Sequence, residues 1–288
     1  MRKAYIKDIR NVVVKVGTSI LTTQGRFDKT LIGKLGSEIS DFLKKGLHVS
    51  IVSSGAIGAG MIILKEKGRP KSMEGLQAAA AVGQRYLMQC YEQAFSRHGF
   101  STAQVLLTWD DLGNPKRFMN AKHTLKEIQK RGLVPVINEN DTVATDEIRF
   151  GDNDRLSSLL SILVEADLLV ILSDTNGLYS DGGKGRRIQV VEKMGNSVFS
   201  HVNDSKKSFT VGGMRSKLEA VQMSTSSGIP VFLADGRQHQ VLHRLFTGED
   251  IGTFFLPAPA KGGSASGGKK NWLRHFTHQI HSRHEKRS

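Results

Sequence analysis

Six short apolar runs recur along this chain: Asn11–Val16 (NVVVKV), His48–Val52, Ala103–Leu107, Leu133–Ile137, Leu168–Leu172 and Ile229–Ala234. Each is rich in Val, Ile or Leu and bounded by Gly, Asn, Asp or Ser, and none shows the strict alternation of a strand with one wet face. Such runs predict strands buried on both sides. Longer segments of helical spacing lie between most of them. In one, Leu31, Leu35, Ile39 and Leu43 line a single helix face. Doubly buried strands that alternate with helices predict an α/β fold, an open αβα sandwich around a mainly parallel sheet. In such a sheet ligands bind beyond the carboxyl ends of the strands, so the strand-to-helix turns are where chemistry is expected. The short EIRF segment before Gly151 is expected to form one arm of a hairpin.

Length and composition narrow the classes further. A chain of 288 residues suits one large domain or two small ones. No apolar run approaches the roughly 18 residues that span a bilayer, and the charged opening MRKAYIKDIR lacks the apolar core of a secretory signal. Cys90 is the single cysteine, which excludes an intrachain disulfide and agrees with a cytoplasmic protein. The formal net charge is +14, and residues 261–288 hold seven Lys/Arg against one Glu. The Pro-, then Gly/Ser-, then Lys-rich stretch Leu256–Lys270 reads as a linker. The expected division is therefore a domain over 1–256 and a basic tail over 257–288. That tail is either a solvated end or an attractor of anions. Trp272, Phe276 and Ile280 have the spacing of a docked amphipathic helix, and His275, His278, His281 and His284 read as surface histidines without a metal partner set. Two aromatics give no stacking platform, so nucleic-acid binding is not expected.

Four turns carry unusual chemistry. Lys15 lies inside the first apolar strand and precedes Gly17-Thr18-Ser19; it either reaches solvent along its aliphatic stem or faces a phosphate. Gly55, Gly58 and Gly60 follow the second strand in a spacing that is neither a dinucleotide fingerprint nor a Walker loop. They serve either backbone contact with an anion or close packing of elements. The third turn, Ile137–Asp154 (INENDTVATDEIRFGDND), gathers six acids and three carboxamides directly after a strand. So many carboxylates cannot be core, since each one buried unpaired costs several kcal/mol. The stretch is an exposed acidic loop, or it recognises a cation such as an α-ammonium and orients nearby lysines; the spacing of a calcium loop is absent. The fourth, Val211-Gly212-Gly213-Met214, opens a helix with Arg215 and Lys217 in its first turn, where cations oppose the helix dipole unless an anion also sits there. Leu172–Asp181 resembles the loop at a nucleotide's edge.

In this order, VVVKVGTSIL, IVSSGAIGAG, VPVINENDTVATDEI, FGDND, LSDTNGLY and VGGMRSK resemble the amino-acid-kinase family from about Asn11 to Leu256. The pairing of NEND…GDND with GGMxxK resembles, within it, the members that phosphorylate L-glutamate. The resemblance implies an ATP-dependent transfer to the γ-carboxylate of L-glutamate, the first step of proline biosynthesis. It implies Lys15 and Lys217 on the phosphates and the transferring group, with Asp154 orienting both. Ser54, Asp141 and Asn153 are implied to bind glutamate, with Asp152 close by. Ser173, Asp174 and the segment Val211, Gly212, Gly213, Met214, Arg215, Ser216 and Lys217 are implied to hold ATP, with Mg²⁺ riding on the nucleotide and no protein metal site. It further implies a homo-oligomer, dimer or tetramer, and proline as a feedback inhibitor.

The chain departs from the family pattern in three places. Residues between Tyr179 and Thr210 form a short segment, Val211 stands where Thr is common, and the last twenty residues cannot hold the C-terminal PUA domain of many members.

Overall fold

The structure is a computed structural model that describes residues 2–23, 26–144, 153–202 and 213–259. EIRF, Asp146, Glu147, Asp152, Val211, Gly212 and the tail with its histidines lie outside the described residues.

Strands β1 (Asn11–Val16), β4 (His48–Ser53), β5 (Thr102–Leu107), β6 (Val134–Glu139), β7 (Leu168–Ser173), β8 (Val190–Val191), β9 (Val231–Asp235) and β10 (Thr253–Phe255) form one eight-stranded sheet. A two-stranded ribbon, β2 (Thr22–Thr23) and β3 (Arg26–Phe27), stands apart. The sheet order is β5-β6-β4-β1-β7-β9-β10-β8, and every neighbouring pair is parallel except β9 with β10. All six apolar runs became strands of this sheet.

The helices are α1 (Arg2–Ile6), α2 (Thr18–Leu21), α3 (Lys29–Lys44), α4 (Ala56–Ile63), α5 (Met73–Ser96), α6 (Trp109–Gly113), α7 (Pro115–Lys130), α8 (Asn153–Leu163), α9 (Asn196–Phe199), α10 (Met214–Ser226) and α11 (Val241–Phe246). Two cores result, one on each face of the sheet. Leu31, Leu35 and Ile39 of α3 pack with Leu87, Tyr91 and Phe95 of α5 and with α11 on one face. Leu156, Leu159 and Leu160 of α8 pack with Leu218 and Val221 of α10 and with α7 on the other. Cys90 is buried in α5, and burial pushes its thiol pKa up, the direction opposite to that of an activated thiol.

The path of the chain positions the site. From β1 it builds β4, β5 and β6 on one side, then crosses to β7 on the other. The carboxyl end of β1 is thus the switch point, where diverging turns leave a crevice for ligands.

Candidate active site

Strand parity aims the first lysine. Val12, Val14 and Val16 enter the core under α3 and α5, whereas Val13 enters the core under α8 and α10. Lys15, two residues beyond Val13, faces the same way. Its Nζ lies 2.6 Å from Asp154 Oδ1, and Lys217 Nζ lies 3.1 Å from Asp154 Oδ2. All three are buried, at 5%, 1% and 7% exposure for Lys15, Asp154 and Lys217. Burial pushes the Asp154 carboxyl pKa up, but the two ammonium groups outweigh it and hold the group below the usual carboxylate range. The three side chains together carry one net positive charge in a water-poor setting, an arrangement suited to an incoming anion.

Each member is held from its own element. Asp154 stands in the first turn of α8, where the helix dipole favours a carboxylate. Gly17 follows β1 and donates its N–H to Leu172 O at 3.1 Å; a Cβ there would come within 3.1 Å of Leu172 O, a tight approach, and would touch Lys15 Nζ at 3.4 Å. Lys217 stands in the first turn of α10, whose cap residue Gly213 makes no side-chain bond. Ser216 Oγ donates back to Gly213 O at 2.9 Å, and Arg215 is exposed, 3.7 Å from Glu219. The implied ATP segment is thus described only from Gly213 onward.

Next to Asp154, Asn153 turns toward the sheet. Its Nδ2, with two protons to share, lies within donating distance of Ser53 O (3.1 Å), Ser54 Oγ (2.8 Å) and Asn138 Oδ1 (2.9 Å), and Asn138 Nδ2 donates to Gln84 Oε1 at 2.9 Å. Ser54 N donates to Val16 O, so the turn after β4 is tied to the turn after β1. The structure therefore brings together Lys15, Ser54, Asn153, Asp154 and Lys217 from four separate stretches. Asp141 is half-buried in the segment after β6, where burial pushes its carboxyl up to about 6 while Arg69 pulls the other way. It makes no hydrogen bond or ion pair among the described residues. Asn138 and Gln84 were not singled out as site residues. Asn138 carried a signal, a carboxamide at the buried end of an apolar strand; Gln84, on a helix, carried none.

The glycine-rich turn divides by role. Gly55 has φ +97° and caps α4, a conformation open to glycine. A Cβ on Gly60 would sit 1.8 Å from Ala79 O, and one on Gly83 would sit 1.8 Å from Ala56 O. Gly60 thus serves close packing, of α4 on α5. On the other side of β1, Ser173 is buried and its Oγ accepts from Thr175 N, while Asp174 is exposed and its carbonyl accepts from Arg237. Gly236 N donates to Ser173 O, which sets the turns after β7 and β9 side by side.

Comparison with known proteins agrees with this geometry. The model of the amino acid kinase family matches residues 10–235. The chain is 44% identical to a glutamate 5-kinase of Syntrophotalea carbinolica over 263 residues, which covers 90% of this chain and 70% of that one. It is 41% identical to a glutamate 5-kinase of Geobacter metallireducens over 280 residues, covering 96% and 74%. Among solved structures, UMP kinase from Bacillus anthracis superposes with a TM-score of 0.57 at 14% identity over 87% of this chain and 97% of that one, a likeness of fold. On the family match over residues 10–235 and these identities, the chain belongs to the amino acid kinase family.

Proposed function

We propose that the protein transfers the γ-phosphoryl group of ATP to the side-chain carboxylate of L-glutamate, giving L-glutamyl 5-phosphate, the first step of proline biosynthesis. The observation that carries this reading is the Lys15–Asp154–Lys217 cluster, which adjoins Asn153 and Ser54 at the switch point of the sheet. The identity to glutamate 5-kinases supports the choice of acceptor.

The chemistry fits the residues. A glutamate side chain has a pKa of about 4.3 and is already ionised at neutral pH, so no general base is required. One carboxylate oxygen forms a bond to the γ-phosphorus as the bond from that phosphorus to the β–γ bridging oxygen breaks, and ADP leaves with the electron pair. The barrier lies in bringing anions together: two unit charges about 4 Å apart repel by about 1 kcal/mol in water and about 4 kcal/mol at an effective dielectric near 20. Lys15 and Lys217 offset that repulsion and stabilise the charge spread over the transferring group, with Asp154 holding both in register. Ser54 and Asn153 orient the acceptor, and Asp141 receives the α-ammonium, with Asp152 also assigned to glutamate binding by the resemblance. Ser173, Asp174 and the segment from Val211 to Lys217 hold the nucleotide. Mg²⁺ belongs on the nucleotide's phosphates, where it supplies further charge neutralisation; the acid of the cluster, Asp154, is already engaged by two lysines. The reaction belongs in the cytoplasm, where ATP and glutamate are available.

The test is ADP release with MgATP and each of L-glutamate, L-aspartate, N-acetylglutamate and UMP. Release that depends on L-glutamate supports the reading. Turnover of another acceptor with none of glutamate overturns it.

A further inference from the structure

Asn153 can be oriented without ambiguity, because one of its partners has fixed chemistry. The Ser53 carbonyl oxygen, 3.1 Å away, only accepts, so the amide nitrogen of Asn153 must face it. That choice propagates. Asn138 must offer Oδ1 to Asn153, hence Nδ2 to Gln84, and Gln84 must answer with Oε1. A relay of defined polarity thus runs from the backbone of β4 through Asn153 and Asn138 to α5. It has two consequences where the acceptor substrate would bind. The Asn153 amide nitrogen, 2.8 Å from Ser54 Oγ, cannot accept a proton, which leaves the Ser54 proton to donate to a carboxylate. The Asn153 carbonyl oxygen is turned away from Ser53 and presents an acceptor.

The far end of the relay is unusual. Gln84 is 8% exposed, and its Nε2 has no hydrogen-bond partner among the described residues. An unsatisfied buried donor is a net cost to the fold. A methionine of similar shape would avoid it, so the contribution of Gln84 lies in its acceptor end.

We propose that Gln84 is a positioning residue for the acceptor substrate: its Oε1 locks the amide orientation of Asn138 and so of Asn153, which aims the Ser54 hydroxyl at the substrate carboxylate. This rests on the reading that L-glutamate is the acceptor. Gln84 acts through Asn138 and touches neither nucleotide nor reacting atoms, so its effect belongs to glutamate binding alone. With the acceptor removed, Asn138 is free to turn over, and an Asn138 amide facing Asn153 would set donor against donor.

The experiment compares wild type, Gln84→Met and Gln84→Glu in steady-state kinetics with both substrates and in thermal melts. Glutamate keeps an acceptor oxygen toward Asn138 in either protonation state, whereas methionine keeps only the shape. The expected result is a KM for L-glutamate raised about tenfold in Gln84→Met, corresponding to about 1.4 kcal/mol. The KM for ATP should stay within twofold, and Gln84→Glu should return the glutamate KM to within about threefold of wild type. Adding Gln84→Met to Ser54→Ala should cause little further loss, because the two act through one hydroxyl. An unchanged glutamate KM, a parallel rise in both KM values, or additive loss in the Ser54→Ala background would overturn the role of Gln84 while leaving the proposed reaction intact. Should Gln84→Met fail to fold, Gln84→Leu takes its place with the same expected rise in glutamate KM and the same overturning results, and a tenfold rise in Gln84→Glu refutes the relay. Absence of glutamate turnover in the wild type would overturn both readings.

Discussion

The buried Ser158 hydroxyl of α8 donates to the Ala220 carbonyl of α10 across 2.7 Å. This bond lies one turn from Asp154 on one helix and three residues from Lys217 on the other, so it fixes the frame in which carboxylate and ammonium meet. Ser158→Ala should cost about 1 kcal/mol of stability, as for loss of one buried hydrogen bond. In a domain of this size that lowers Tm by about 2–4 °C. A melt indistinguishable from wild type would show that apolar packing alone sets the spacing of the helices.

Asp154 is the counter-charge of two buried ammonium groups, and Asp154→Asn leaves both facing a neutral amide. Loss of one partner of a buried ion pair typically costs about 3–5 kcal/mol. The sign of its pH dependence follows from the direction of the shift. The folded-state pKa is depressed, so the stabilisation is fully present above the unfolded value of about 3.9 and is lost as pH falls through the lower, folded value. Denaturant titrations of wild type and Asp154→Asn should differ most near pH 7 and converge in strong acid. A gap that stays constant across the whole range would contradict the ionic account.

Asp141 behaves in the opposite way. Burial lifts its carboxyl to about 6, so the folded protein binds that proton more tightly than the unfolded chain does. Its ionisation opposes folding, with no penalty below about pH 4 and the full penalty above about pH 6. Asp141→Asn should therefore stabilise the protein at pH 7.5, with the gain fading toward pH 4. The same substitution should lower kcat/KM for L-glutamate by about tenfold or more, as expected for a lost charged hydrogen bond. In wild type that kcat/KM should fall as pH drops through 6, and in the variant this inflection should vanish. Equal losses for ATP and glutamate would argue against contact with the α-ammonium.

Much of this was legible in the residues themselves. The first strand, Asn11–Val16, was readable to the residue, because six apolar-bounded positions in a row admit little else. Lys15 stood out as a charge inside that strand, and its partners were anticipated from motif resemblance. Strands β8 and β10 were not foreseen, since two and three residues carry no period and their pairing is decided by distant neighbours. The glycine-rich turn was ambiguous for a physical reason. A glycine needed for left-handed backbone, as at Gly55, and one needed for helix contact, as at Gly60, look alike in sequence. Gln84 was illegible because its role depends on Asn138, fifty-four residues away, and on the orientation of two amides.

The measurement that tests the central claim most directly is a single-turnover reaction of MgATP and L-glutamate, with the acyl phosphate trapped by hydroxylamine, in wild type and Lys217→Ala. The account predicts glutamate-dependent hydroxamate in wild type, formed about two to three powers of ten more slowly in the variant, as for loss of one preorganised donor in the transition state. Near-normal hydroxamate formation by Lys217→Ala would contradict it.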